Sequence, residues 1–158
     1  MSAVAADLPQ VYRSAPYFVR AVFDFTSGST FQVPSQPVPN AREHFLVATK
    51  LGRNGLQRIQ MFRDYMPGWD FGQGQPMSEL AYQGLYEFLR HFTLPANKRP
   101  SVFLVPSGNL ELAWENDAGQ KFQVEFGPET IEYYREDTEQ EFEVPASEAK
   151  NVATALSV

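Results

Sequence analysis

Two carboxylates lie on either side of a tryptophan-containing loop and are the side chains of this sequence best placed to do chemistry. Asp64 and Asp70 are close enough in sequence to form a general acid/base pair or to ligate a hard divalent cation. Neither has a base, a further metal ligand or an oxyanion donor beside it. A metal-assisted or acid/base hydrolase is one hypothesis. The alternative for Asp70 is that it bonds the backbone of its own glycine turn.

The loop that contains Asp70 is rich in glycine, as phosphate-binding loops are. Its marked positions are Gly68, Trp69, Asp70, Gly72, Gly74 and Pro76. No glycine follows Gly74 at the third position, no Gly-Lys-Ser/Thr motif occurs, and the loop follows a predicted helix instead of a strand. These features predict a structural link between two helices, with Trp69 inserted into the core.

Other chemical motifs are weak. His44 and His91 are the only histidines, and neither has a second ligand at the spacing that a zinc site uses. The chain contains no cysteine, which excludes disulfides and thiolate chemistry. The sequence therefore predicts no metal site, no cofactor and a non-catalytic protein.

Glutamates alternate with apolar residues between Leu110 and Val144, and this alternation is the strongest pattern in the chain. A period of two places apolar side chains on one face of a strand and carboxylates on the other. The apolar face is predicted to include Leu110, Leu112, Trp114, Phe122, Val124, Phe126, Ile131, Tyr133, Phe142 and Val144. The opposite face is a candidate docking surface, which we define as Glu111, Glu115, Glu125, Glu132, Tyr134, Glu141 and Glu143.

The elements that position these residues are predicted to form an α+β fold. Short turns separate the alternating segments, which indicates an antiparallel β-meander of four to five strands. A short helix over 56–66 and a longer one over 79–92, capped by Ser78, are predicted to cover one face of the meander. Residues 146–156 are predicted to form a short terminal helix.

Residues 1–9 are predicted to be a flexible lead, and residues 10–158 a single α+β domain. Within that domain, residues 10–51 form an N-terminal hairpin region and residues 52–158 the helix-loop-helix and the meander. The segment 44–51 is ambiguous, because a helix-start signature precedes it while Phe45, Val47, Thr49 and Leu51 alternate as in a strand. The alternation slightly favours a strand.

Charge is distributed unevenly along the 158 residues, whose net charge is −6. Residues 101–158 contain three Lys/Arg and twelve Asp/Glu. Because phosphates would be repelled, direct nucleic-acid binding by this half is disfavoured. The N-terminus lacks the features of a secretory signal, and no apolar run reaches the roughly 20 residues of a membrane span. We therefore expect a cytoplasmic protein that does not contact a membrane.

The segment from Leu56 to Tyr134 resembles an uncharacterised bacterial family of small proteins. Those proteins have a Gly-Trp-Asp-Gly-x-Gly-x-x-Pro loop, a second helix and a strand similar to Leu-Glu-Trp. This chain has Phe71 where glycine is usual, and Leu112 or Trp114 would stand in the strand motif. The resemblance implies a compact α+β unit and no established activity.

The functional hypothesis combines the acidic half-chain with the absence of a catalytic set. It is a small acidic interaction protein of bacterial or phage origin, such as an inhibitor, an immunity or antitoxin-like factor, or an accessory subunit. Its partner would be a basic protein, with proteins that bind nucleic acid among the candidates, and complementary charge would speed association. The alternatives are the hydrolase and a structural subunit that assembles through a strand edge.

Overall fold

The computed structural model describes residues 41–94 and 98–157. The flexible lead and the N-terminal hairpin, predicted within residues 1–40, lie outside the described residues. In chain order the described elements are α1 (Ala41–Arg63), α2 (Glu79–His91), β1 (Ser101–Leu104), β2 (Leu110–Glu115), β3 (Lys121–Phe126), β4 (Thr130–Arg135), β5 (Gln140–Pro145), a 3₁₀ turn (Ala146–Glu148) and α3 (Ala149–Leu156).

The five strands form one antiparallel sheet in the order β1-β2-β3-β4-β5, which confirms the predicted α+β meander. Sequential antiparallel pairing follows from the short turns, because a two- to five-residue connection can only return a strand beside its predecessor. None of the helices in the described ranges is long and apolar enough to cross a membrane.

Helix α2 is the centre of the helical layer. Its N-cap is Ser78, whose hydroxyl accepts a hydrogen bond from the backbone N–H of Ala81 at 3.3 Å, as the sequence predicts. Leu85 and Phe88 are fully buried in α2, which packs on β2 and β3 and also contacts α1 and α3. Leu80, in the first turn of the same helix, is 55% exposed.

The strand prediction for residues 44–51 is wrong, because these residues belong to α1. Val47 and Leu51 are buried at a spacing of four residues, which is one face of a helix. Phe45, whose alternation favoured a strand, is 75% exposed. Between this segment and the helix predicted over 56–66 the chain has only a kink at Gly52, where φ is 76°, and Gly55 is buried within the helix.

The core between the helices and the sheet is aromatic. Phe88 lies against Phe92, Trp114 and Phe126, with ring centroids 4.8, 6.4 and 5.3 Å apart. Trp114 is itself stacked on Phe122 at 5.6 Å, and both are only 5% exposed. The indole N–H of Trp114 is buried without a hydrogen-bond partner among the described residues. The predicted apolar face of β2 and β3 is therefore confirmed.

The strongest contacts of the helical layer are with the first strands of the sheet. Helix α1 packs on β1 and α2 on β2 and β3, while the 3₁₀ turn packs on β4. Every residue of β5 except the half-buried Val144 is exposed, and Phe142 is 37% exposed. The prediction that Phe142 is buried is thus wrong, because it lies on the last strand of the sheet, where only Val144 packs partly against the core.

Candidate functional site

Four glutamates form a straight row across the open face of the sheet. Glu111 is opposite Glu125, Glu125 is opposite Glu132, and Glu132 is opposite Glu143 in the registers of three successive strand pairs. Directly opposite residues have Cβ atoms about 4.5–5.5 Å apart, at which like charges destabilise the sheet. We call these four residues the glutamate row.

The two halves of the row differ in their surroundings. An amide N–H of Asn109 donates to Glu125 at 2.8 Å, and one of Gln123 donates to Glu111 at 2.7 Å. These donors are neutral, so the negative charge remains. Glu132 and Glu143 are exposed, and their carboxylates make no hydrogen bond or ion pair with any residue of 41–94 or 98–157. The strongest uncompensated charge is therefore on β4 and β5.

Glu115 belongs to the predicted docking surface but differs from the row. Its carboxylate lies 3.3 Å from the ammonium of Lys98, and Lys121 is its partner in the strand register. Two cations beside one carboxylate cancel its field locally. Glu115 therefore contributes little to the negative potential of this face.

Tyr134 and Glu141 lie opposite each other in the next register position of β4 and β5. Both line an open groove of about 390 Å³ that also includes part of the glutamate row. The complete lining is Gln123, Glu125, Glu132, Tyr133, Tyr134, Glu141, Phe142 and Glu143. The structure thus brings Glu125, Glu132, Tyr134, Glu141 and Glu143 of the predicted surface together.

Gln123, Tyr133 and Phe142 line this groove but were not predicted as site residues. The alternation of β3 could have identified Gln123, because it shares a face with Glu125. Tyr133 and Phe142 are stacked at 4.8 Å on the other face, and Phe142 is exposed because it lies on the last strand of the sheet. No local sequence signal contains that information.

The tryptophan loop is held together by its own backbone. The N–H of Gly68 donates to the carbonyl of Gly74 at 2.6 Å, and the indole N–H of Trp69 donates to the carbonyl of Gln75 at 2.7 Å. A Cβ on Gly74 would lie 2.6 Å from the indole nitrogen, so only glycine lets the ring lie this close. The indole ring itself is 5.1 Å from Tyr65.

The same loop is attached to the turn between β1 and β2. The N–H of Gln75 donates to the carbonyl of Pro106 at 2.8 Å, and the N–H of Ser78 donates to that of Gly108 at 2.9 Å. A Cβ on Gly108, where φ is 87°, would collide with the carbonyl oxygen of Pro76. The loop therefore joins the helical layer to the sheet through backbone contacts, while Gly72 has open space around it.

Phe71 occupies a left-handed backbone conformation in this loop, with φ at 45°. Such a conformation costs a non-glycine residue about 1–2 kcal/mol. Its side chain is fully exposed, so packing within the described part of the chain does not offset that cost.

The candidate catalytic carboxylates are not assembled into a recognisable site. Within the described residues the carboxylate of Asp70 makes no hydrogen bond, and only its backbone oxygen accepts one, from the N–H of Gln73 at 2.8 Å. His91 is 3.0 Å from the carboxylate of Glu87. Residues 41–94 and 98–157 contain no group of three His, Cys, Asp or Glu side chains that could hold a metal ion.

Two exposed hydrogen-bonded pairs change the pKa values of their members. Burial raises the pKa of Glu87, but hydrogen bonds from Arg90 and His91 outweigh it and hold the pKa below its ordinary value. At the turn after β4, the hydrogen bond from Arg135 lowers the pKa of Asp137 and raises that of Arg135. Both are structural pairs at an exposed surface and indicate no poised acid or base.

No family model, curated protein or solved structure matches this chain. Functional inference therefore rests on the chemistry of its surfaces.

Proposed function

We propose that this protein is a cytoplasmic, non-catalytic interaction protein of a bacterium or phage that docks its acidic sheet face on a basic surface of a partner protein. It would act as an inhibitor, an immunity or antitoxin-like factor, or an accessory subunit. The partner's basic surface is of the kind that normally binds nucleic acid. The observation that carries the proposal is the glutamate row, with its unneutralised end on β4 and β5.

The row supports docking because it opposes folding. Each direct pair of like charges destabilises the sheet by a few tenths of a kcal/mol or more. The glutamate row contains three such pairs on one face. A basic partner would supply the missing cations, and long-range attraction would accelerate and orient the encounter.

Tyr134 gives this face more than charge. It lies beside Glu141 in the groove, and tyrosine is enriched among residues that contribute most to binding energy. A partner with arginines on its surface could form bidentate contacts with the glutamates and stack a guanidinium on the tyrosine. We therefore expect arginine, more than lysine, on the partner.

The test compares two variants with the same change in net charge. Glu132→Gln with Glu143→Gln removes two charges from the row, whereas Asp117→Asn with Glu129→Gln removes two from exposed turns. A partner captured from the host by the wild-type chain should bind the row variant at least about tenfold more weakly, and the control variant unchanged. The difference should shrink at high salt, where surface charges are screened.

Equal capture by all three proteins at low salt would refute the electrostatic proposal. Equal weakening of both variants would also refute it, since only net charge would then matter.

Self-assembly through a strand edge is a second candidate, because β5 ends the sheet and is exposed on both faces. Glu141 and Glu143 on this strand oppose pairing of two copies, since charged side chains on an edge disfavour strand addition. Light scattering of the purified chain tests it. A concentration-independent monomer mass would eliminate assembly by this edge.

A further inference from the structure

A basic groove lies at the opposite edge of the sheet from β5, where the kink of α1 meets β1. Its volume is about 430 Å³. Three arginines line it, namely Arg53 and Arg58 from α1 and Arg99 from the segment before β1. We call it the arginine groove.

The kink at Gly52 makes room for Arg99, the one arginine of the three that does not belong to α1. A Cβ on Gly52 would lie 2.5 Å from a guanidinium nitrogen of Arg99, so the guanidinium occupies space that only glycine leaves free. The φ of 76° at Gly52 also requires glycine, and it ends the first half of the helix just before Arg53. The position of Arg99 in the groove thus depends on glycine at residue 52.

The positive charge of this groove is not neutralised within the described part of the chain. Arg53 and Arg99 form no ion pair there, and both are exposed. The guanidinium of Arg58 lies over the ring of Phe103, 4.7 Å from its centroid. Stacking leaves the N–H groups at the edge of a guanidinium able to donate to a ligand. A protein of net charge −6 therefore gathers three cations without an acid between them.

We propose that the arginine groove binds the phosphate group of a small phosphorylated molecule. Guanidinium groups match phosphate oxygens in geometry and charge, and several of them around one site are typical of phosphate recognition. The hydroxyl-bearing Ser101 and the amide-bearing Asn54 also line the groove and can complete the donor set. Its volume lies in the range of about 300–1,000 Å³ of small-molecule sites.

The rest of the ligand has a neighbouring surface to contact. A second groove, of about 580 Å³, shares Arg99 and Ser101 with the first and is lined by Phe103 and Tyr134. A planar group attached to the phosphate, such as a nucleobase, can stack on such rings. A long polyanion is disfavoured, because beyond this groove the strands of the sheet carry the glutamate row.

The experiment titrates the full chain with inorganic phosphate and, separately, with adenosine 5′-monophosphate, each followed by calorimetry and by the amide NMR signals of Gly52 and Gly55. Saturable binding is expected, with the largest signal changes at the kink. Arg53→Gln and Arg99→Gln should each weaken binding about tenfold, as expected for one lost charged hydrogen-bonding group. Lys150→Gln, which removes an exposed cation on α3, is the matched control and should bind as the wild type does.

Tighter binding of the nucleotide than of phosphate identifies a ligand that also uses the second groove. Equal binding identifies the phosphate group alone as the ligand. No saturation at millimolar ligand, or the same loss in Lys150→Gln as in the arginine variants, overturns the proposal. Stronger binding of a single-stranded oligonucleotide than of the mononucleotide overturns the small-molecule version. The glutamate-row variant should bind phosphate normally, so this result is independent of the docking proposal.

Discussion

Two cross-strand aromatic pairs of nearly the same geometry meet different environments in this sheet. Trp114 and Phe122 are stacked at 5.6 Å with a 13° angle between their planes, and Tyr133 and Phe142 at 4.8 Å with 15°. The first pair is buried under α2, whereas Phe142 is 37% exposed on the uncovered strand. The same local pattern therefore forms a core where a helix lies above it and an accessible surface where none does.

On the acidic face, too, the environment of β2 and β3 differs from that of β4 and β5. Near the covered strands, Glu111 and Glu125 accept hydrogen bonds from neighbouring amides, while Glu132 and Glu143 on the uncovered side lack such donors within the described ranges. The most exposed part of the proposed docking surface thus lies on β5, the only strand of the described sheet without a fully buried residue.

The largest expected effect concerns the two aromatic regions. Phe88→Ala should destabilise the protein by about 3–5 kcal/mol, because this fully buried ring contacts three other aromatic rings and its removal leaves a cavity. Phe142→Ala should cost about 1 kcal/mol, the upper value for a cross-strand aromatic pair. Urea unfolding of both variants, with comparison of their m values, measures this difference. Equal losses would contradict the division of the sheet into covered and uncovered parts.

A smaller effect sharpens the comparison along the glutamate row. Glu132→Gln should stabilise the fold by about 0.2–1 kcal/mol, since it removes like charges on both sides without breaking a hydrogen bond. Glu111→Gln should give a smaller gain, because its carboxylate accepts from Gln123. Thermal unfolding at low and high salt is the measurement. A loss of stability in Glu132→Gln would mean that this residue has a folding role that its surroundings do not indicate.

The smallest expected effect is on acid stability in the helical layer. The pKa of Glu87 is held below its ordinary value of 4.5, so its ionised form stabilises the folded state. This contribution is present above that value and is lost as the pH falls through the lowered pKa. Unfolding free energies of the wild type and Glu87→Gln should therefore differ at pH 7 and converge as the pH falls through the lowered pKa, by a small amount because the pair is half-exposed. Curves that remain parallel from pH 7 to the acid end of the titration would contradict this prediction.

Part of the fold is readable from local sequence because its signals are local. The turns around Gly108 and Gly119, both with positive φ, separate strands that can only pair with their sequence neighbours. Ser78 marks the start of α2 through a hydrogen bond three residues away. Helix α1 is harder to predict, because the alternating apolar residues at 45–51 fit a strand as well as a helix. Only the position of the core distinguishes the two.

The candidate sites also depend partly on local sequence and partly on tertiary structure. The alternation alone places the glutamates on one face, but their alignment into one row depends on the register of four strands. The arginine groove has no sequence signature, because Arg99 reaches Gly52 only after β1 packs on α1.

The sequence by itself determined the order of the strands, the two faces of each strand and the sign of the charge on the open face, because these follow from contacts between near neighbours. Only the tertiary structure decided which strands are covered by helices, which glutamates stand opposite one another and which arginines share a groove. Those properties depend on contacts between residues far apart in the chain. The free energies of such contacts cannot be inferred from a short segment of sequence.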